Sequence, residues 1–286
     1  MQKKPSILNI ILIVIGLIVL LYGVFQKSET TVIANEIGEA VVQAQIDKVA
    51  PENNGKLVIV SGSIAATNER TDEYFGISQK SIKMKRVVET YQWSQDCSTE
   101  CTYVKIWSEP AIDSSKFDDA HKNPDTKQYS TEEYVENKVQ LGAYTLSPKL
   151  INDLRYDTVM GPDEIIEIYD GKYDLVGEYI TNAADMDRPM IGDFRIHYEY
   201  VKDKDVTVIA KQAGESFEAY YTERKQEIYD ITEGEQTASE YIANLKKSNS
   251  VFGIIMVAIG AIFVLFGIGA IIYDNLKAKK QSKWKS

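Results

Sequence analysis

Residues 251–273 read VFGIIMVAIGAIFVLFGIGAIIY, 23 residues without a charge. At 1.5 Å per residue such a helix is about 34 Å long, enough to cross a hydrocarbon core of roughly 30 Å with some tilt. A second run, residues 7–25, has the same character. Roughly 220 residues lie between them, the size of one large or two small domains, and they are too polar for lipid. The expectation is a membrane-anchored α+β chain, with a β-rich extracytoplasmic domain between two transmembrane helices. It divides into a tail at 1–6, a first span at 7–25, the domain at 26–250, a second span at 251–273 and a basic tail at 274–286.

Charge orients this plan. Lys3 and Lys4 precede the first span, and Lys277, Lys279, Lys280, Lys283 and Lys285 follow the second. Lys27, Lys246 and Lys247 flank the opposite ends but are fewer. Two spans put both termini on one side, and the basic excess assigns that side to the cytoplasm. The domain is then periplasmic or luminal. Residues 29–245 hold 22 Lys and Arg against 41 Asp and Glu, a net of −19. Such a surface repels nucleic acid and anionic lipid heads; the field allows basic partners or divalent cations, though a solvated acidic surface is the more common reason for it. The expected partners are the bilayer, further copies of the chain and other membrane proteins. The first run is too long for a signal-peptide core, and no small-residue cleavage pattern follows it, so it reads as an uncleaved anchor.

Gly16 and Gly23 are seven apart, as are Gly253, Gly260 and Gly267. Seven residues is nearly two helical turns, so each set forms one stripe where another backbone can approach. The partner is the other span or a second copy of the protein.

Within the domain, residues 42–46 alternate like a strand, and the apolar run 57–60 suits a strand buried on both faces. Residues 67–72 read as a polar loop. The clearest pattern is 81–95 followed by 102–108, both rich in Val, Ile, Tyr and Trp. A three-residue turn at 98–100 would oppose Cys97 to Cys101, Gln95 to Tyr103, Trp93 to Lys105 and Tyr91 to Trp107. A change of phase upstream suggests a bulge at Lys85 and Arg86. Residues 131–139 and 148–154 suggest short helices. Residues 165–170 and 178–181 suggest strands, and 193–201 with 206–211 suggest a hairpin. Residues 237–247 read as a helix running into the second span.

Opposed strand positions bring Cα atoms within disulfide reach, and Cys97 and Cys101 are the only two cysteines. Outside the cytoplasm that pair favours a disulfide. A structural zinc site would need a second ligand pair, and a redox motif would read Cys-x-x-Cys. There is no phosphate loop, dinucleotide fingerprint, HExxH or GxSxG, so no catalytic, cofactor or metal residue is assigned. Of the two histidines, His197 sits mid-strand, where a structural role is favoured. His121, in His121-Lys-Asn-Pro124, is either a loop-ordering residue or a candidate loop site.

Six stretches resemble the transmembrane protein 43, or LUMA, family: VAPENNGKL (49–57), KRVVETYQW (85–93), HKNP (121–124), GDFR (192–195), VTVIAKQ (206–212) and LKKSN (245–249). The resemblance implies an N-terminal anchor, a large luminal or external domain and C-terminal spans. It also implies self-association and carries over no catalytic residues. Animal members have several C-terminal spans and sit in the endoplasmic reticulum and inner nuclear membrane. A two-span chain resembles the bacterial members, whose place is the cell membrane. The expected function is non-enzymatic: membrane organisation, a scaffold, or sensing through the acidic domain. The alternative is a surface-acting enzyme or ligand-binding domain using the His121 region. A channel subunit is disfavoured because uncharged spans offer no polar pore lining.

Overall fold

The two apolar runs are parts of longer helices. The computed structural model describes residues 6–283 except 98–99, 125–127, 167 and 170. The N-terminal helix, Ile7–Ala40, has 34 residues and the C-terminal helix, Ala238–Lys283, has 46. Both are long and apolar enough to cross a membrane. Neither stops where its apolar run stops, so the 26–250 segment begins and ends inside continuous helix.

The helices pair through their glycines. Gly16 faces Gly260 and Val264, Gly23 faces Gly253 and Val257, and Gly267 faces Asn9 and Ile13. One number rises as the other falls, so the pair is antiparallel. A methyl carbon built on Gly16 would lie 2.8 Å from the Gly260 carbonyl oxygen, and one on Gly260 would lie 2.6 Å from that of Gly16. Any side chain there would drive the backbones apart. Within the two apolar runs these five glycines are the buried positions. A seven-residue step drifts by only about 20° on a straight helix, so successive glycines stay on the seam. The glycine stripes are thus occupied within one chain.

Beyond the apolar runs the same helices become part of the domain. Ile33, Ile37 and Ala40 from one, and Tyr241, Ile242 and Leu245 from the other, pack on Leu57, Ile59, Ile209 and Ile228. The C-terminal helix opens with a capping box. The Thr237 Oγ1 accepts from the Glu240 N–H at 3.3 Å, and the Glu240 carboxylate accepts from the Thr237 N–H at 2.8 Å. Arg224 clips the N-terminal helix by ion pairs to Glu29 at 2.9 Å and Glu36 at 3.2 Å.

The domain contains two seven-stranded sheets. The first runs Ser216–Glu218, Lys204–Ala213, Leu57–Ile64, Gln140–Leu141 and Tyr144–Thr145, with Val42–Gln43 and Asp230–Glu233 added at its sides. Leu57 and Ile59 face the helices while Val58 and Val60 enter the cluster on the opposite face, so the 57–60 run is buried on both faces. The second sheet runs Asp174–Val176, Tyr179–Thr181, Phe194–Val201, Lys83–Asp96 and Thr102–Ser108, with Thr158–Val159 and Glu132–Val135 alongside. Its own core gathers Met84, Val88, Ile180, Phe194, Ile196 and Tyr198. Pro148–Asp153 is a helix capped by Ser147.

The structure corrects several expectations. Phe194–Val201 and Lys204–Ala213 are not a hairpin: the first pairs with Lys83–Asp96 and the second with Leu57–Ile64. A two-residue hairpin at Lys202 and Asp203 needs positive φ, and among the described non-glycine residues only Lys225 has it. The chain instead crosses from one sheet to the other, and Asp203 fixes the crossing by accepting the Ala66 N–H at 2.8 Å. Residues 131–139 supply a strand, Glu132–Val135, because the free edge of Lys83–Asp96 takes them up. The described residues of 165–170 form no strand: Pro162–Ile166 is a short helix, started by its proline. Residues 67–72 contain a strand, Glu69–Asp72, paired with Ile77–Lys80.

There is also no bulge at Lys85 and Arg86, where pairing to both neighbouring strands is unbroken. The phase change marks a charged side chain in the core. Arg86 lies between Met84 and Val88 on the inward face. Its guanidinium donates to Asp72 at 2.6 Å, Glu132 at 2.8 Å, the Tyr134 hydroxyl at 3.1 Å and the Ser130 carbonyl at 3.1 Å. Asp72 also accepts from the Tyr198 hydroxyl at 2.8 Å. Burial, reinforced by the Asp72 charge, drives the Tyr198 pKa up, so that hydroxyl stays a donor.

Two outcomes follow from these contacts. Gly260→Leu should lower stability by roughly 1–3 kcal/mol, the usual cost of overpacking. Gly269→Leu, on the same helix with open space beside it, should be near neutral; thermal unfolding of the two purified proteins in one detergent compares them. Asp72→Ala leaves a buried guanidinium short of a partner and should cost about 3–5 kcal/mol in denaturant unfolding.

Candidate functional site

Lys83–Asp96 is longer than its neighbour. Its pairing with Phe194–Val201 ends at Thr90 opposite Phe194, and the strand continues. The next peptide groups on that edge are closed by loops. The Tyr91 N–H donates to the Asp193 carbonyl at 2.8 Å, and the Gly192 N–H donates to the Tyr91 carbonyl at 3.0 Å. Two residues on, the side chain of Asn123 does the work of a strand. Its Oδ1 accepts from the Trp93 N–H at 2.7 Å and its Nδ2 donates to the Trp93 carbonyl at 3.0 Å. Pro124 packs against Gly192, whose φ of 97° suits glycine. The stretches 85–93, 121–124 and 192–195 therefore meet at one place.

His121 belongs to this junction. It ends a short 3-10 turn, Asp119–His121, whose cap Asp118 accepts from the Ala120 N–H at 3.0 Å. The His121 ring stacks on Tyr103 at 3.9 Å, meets Trp93 edge-on at 4.4 Å, and its Nδ1 lies 2.7 Å from Asp118 Oδ1. The hydrogen bond from His121 is the main reason the Asp118 pKa falls below its ordinary value. Lys122 donates to the carbonyls of Ser114 at 3.1 Å and Ser115 at 2.9 Å.

A cleft of about 670 Å³ lies beside the junction, lined by Thr90, Gln92, Ile112, Ser114, Lys122 and Asn123. The side chains of Gln92, Ser114, Lys122 and Asn123 are engaged with the surrounding loop and strand. Gln92 donates to the Ser108 and Pro110 carbonyls at 3.3 and 3.1 Å, and accepts from the Ile112 N–H at 3.0 Å. His121 thus meets one carboxylate and two aromatic rings, an arrangement that fastens residues 109–124 to the hairpin. Among the described residues, no three His, Cys, Asp or Glu side chains gather as a metal site would require.

The hairpin pairs Tyr91 with Trp107, Trp93 with Lys105 and Gln95 with Tyr103. Cys97 and Cys101 are joined in a disulfide with Cα atoms 4.1 Å apart; turn residues 98–99 fall outside the described residues. The outward rings are covered by cations: Lys105 lies over Trp93 at 4.8 Å, and Arg195 over Trp107 at 4.7 Å and Tyr179 at 4.6 Å. His197 is on this sheet, edge-on to Tyr179 at 5.6 Å.

A second junction joins two further stretches. The Gly55 N–H donates to the Gln212 carbonyl at 2.8 Å, the Gln212 N–H to the Lys56 carbonyl at 3.0 Å, and the Gln212 Nε2 to the Ala50 carbonyl at 2.8 Å. Residues 49–57 and 206–212 are thus bound to one another.

The family model for transmembrane protein 43 matches residues 79–276, well over half of the chain. The chain belongs to the transmembrane protein 43 family. Curated relatives named transmembrane protein 43 are similar at 27% identity in mouse and 26% in human, each over 77% of this chain and 61% of theirs. A Drosophila melanogaster homolog is 23% identical over 59% of this chain and 50% of its own. The chain thus spans about 60% of the length of the mammalian relatives it matches. No solved structure matches. With its two apolar helices, this is a membrane protein of the transmembrane protein 43 family.

Sequence reasoning placed His121 and the cysteines but missed Asn123 and the Asp72–Arg86 pair. Asn123→Ala would leave both peptide groups of Trp93 unpaired and should cost about 1–3 kcal/mol. Hydrogen exchange in full-length protein should rise at residues 91–96 and leave the helix pair unchanged.

Proposed function

We propose that this transmembrane protein 43 family member is a non-enzymatic scaffold or sensor, which holds an acidic domain rigidly on the non-cytoplasmic side of a membrane. The observation that carries this reading is continuity. The glycine-seamed helices run without a break into the packing of the first sheet, so movement in the bilayer and movement of the domain are coupled. Both termini lie in the cytoplasm, as the basic flanks require. The chain self-associates or gathers other membrane proteins through the domain, since its glycine seam is already filled. The loop around His121 has its polar groups committed to folding, which favours a structural role there over a surface-acting enzyme.

Protease added outside sealed cells should cut within 29–245 and spare the tails; the reverse pattern would discard the orientation. Crosslinking in intact membranes should recover further copies or other membrane proteins. Recovery of the chain alone as a monomer, together with turnover of a small molecule by the purified protein, would discard the scaffold.

A further inference from the structure

Thr102–Ser108 ends the second sheet, paired on one side to Lys83–Asp96. That neighbour fixes which way its peptide groups point. The peptides of Tyr91 and Trp93 turn away from it, to Asp193, Gly192 and Asn123. Alternate residues of a strand turn the opposite way, so Thr90, Gln92 and Ser94 bond to their mates Ser108, Ile106 and Val104. The N–H and C=O groups of Tyr103, Lys105 and Trp107 therefore point out of the sheet. Among the described residues, none of these groups has a hydrogen-bond partner. The chain closes one edge of this hairpin with a dedicated side chain and loop peptides, and leaves the other open.

The open strand is close to its own complement. It reads Thr-Tyr-Val-Lys-Ile-Trp-Ser: a hydroxyl residue at each end, then an aromatic, then a β-branched residue, with Lys105 in the middle. A twofold axis at Lys105 would set it antiparallel to a second copy, Tyr103 beside Trp107, Val104 beside Ile106 and Thr102 beside Ser108. In that register the outward peptides of 103, 105 and 107 meet those of 107, 105 and 103, so each open donor and acceptor on the strand is used. Val104 and Ile106, 53% and 39% exposed, would join their mates in one apolar patch. The opposite face is already set, with Tyr103 stacked on His121 and Trp107 held between Tyr91 and Arg195. Each Lys105 ammonium leans over its own Trp93 at 4.8 Å, away from the axis, which eases the one like-charge pair.

We infer that Thr102–Ser108 is the contact between two copies of this protein, paired antiparallel about Lys105 so that one sheet runs through both. An isologous contact needs a surface that complements itself under a twofold, and this strand does so at every position except the central lysine. That symmetry favours a second copy over an unrelated extended segment, which would need no such pattern. The inference rests on the reading that the chain self-associates, and it names the surface responsible.

The test uses the full chain in detergent, where sedimentation should show a dimer in equilibrium with monomer. Lys105→Pro removes an outward N–H and costs the hairpin none of its own bonds. It should raise the dimer dissociation constant about tenfold or more, with the melting curve of dilute protein unchanged. Under mild oxidation Lys105→Cys should crosslink two copies, because in this register its Cα lies about 5.5 Å from its own mate. Val104→Cys should not, since its two copies lie on a diagonal about 7–8 Å apart. Peptide mapping assigns the bond and separates it from exchange with Cys97 and Cys101. If Lys105→Pro disturbs the fold, the two cysteine variants decide alone. A dimer that survives Lys105→Pro with an unchanged melting curve would overturn the inference and leave self-association to another surface. Equal crosslinking at 104 and 105 would overturn it as well. A wild-type chain that stays monomeric at every concentration would overturn both the inference and self-association, and would mark Lys105 as a guard against edge pairing.

Discussion

The close approach of two backbones along the glycine seam sets the geometry of everything above it. In lipid, apolar side chains gain little by touching one another, because the hydrocarbon around them is equally apolar. What holds such helices together is dense van der Waals contact, and its extent depends on how near the axes come. Gly16 against Gly260 and Gly23 against Gly253 remove the side chains that would keep them apart. The same helices then carry Ile37 and Ile242 into the packing of the first sheet, where water supplies a hydrophobic drive. One pair of continuous helices therefore carries both the glycine seam and part of the packing of the first sheet. The Arg224–Glu29 ion pair sits near the transition between them, and the Thr237–Glu240 capping box closes the domain end of the second helix.

The second sheet solves a different problem. A strand that outruns its neighbour exposes unpaired peptide groups, which invite pairing with other chains. Lys83–Asp96 does outrun Phe194–Val201, and its edge is finished with single residues: the peptide of Gly192, the carbonyl of Asp193 and the amide side chain of Asn123. Such closures demand particular residue types. Only an Asn-like side chain offers a donor and an acceptor at peptide spacing, and glycine best fits the left-handed backbone beside Pro124. That gives a physical reason why HKNP and GDFR stand out in the sequence although they form neither helix nor strand together. They stand out because they close a strand edge without a strand, one through the Asn123 side chain and the other through the peptide groups of a glycine turn.

The same distinction explains how much of the chain could be read beforehand. The two apolar runs, the glycine phase and the register of the cysteine hairpin are set by residues near one another in sequence, so spacing alone reveals them; the continuation of the N-terminal helix to Ala40 does not show there, because it rests on packing against Leu57 and Ile59. The partner of the glycine stripe was left open, because a stripe shows that a backbone approaches but not whose. The stretches 193–201 and 206–211 look like a hairpin because only residues 202–205 separate them. Lys202 and Asp203 lack the turn chemistry, and the distant Ala66 peptide decides the crossing. Arg86 broke the alternation of its strand and suggested a bulge. Its partner Asp72, on a segment read as loop, is what lets a guanidinium occupy a core position. The His121 cluster was legible as residues, but its Tyr103 stack and the use of Asn123 depend on how the loop folds back.

Filling the glycine seam within the chain limits how copies of this protein can meet. The outer faces of the helices carry bulky residues such as Leu21, Leu265 and Phe266, which hold a neighbouring backbone at a distance and weaken packing in lipid. The domain carries a net charge of −19 over residues 29–245, so two copies side by side repel. Contact between copies must therefore come from surfaces poor in charge. The Thr102–Ser108 strand, at the margin of the second sheet with Val104 and Ile106 exposed, is one such surface. An association built there works against the field of the whole domain, and screening that field strengthens it. Any association of copies at that strand should strengthen with added salt, opposite to the behaviour of a complex held by ion pairs.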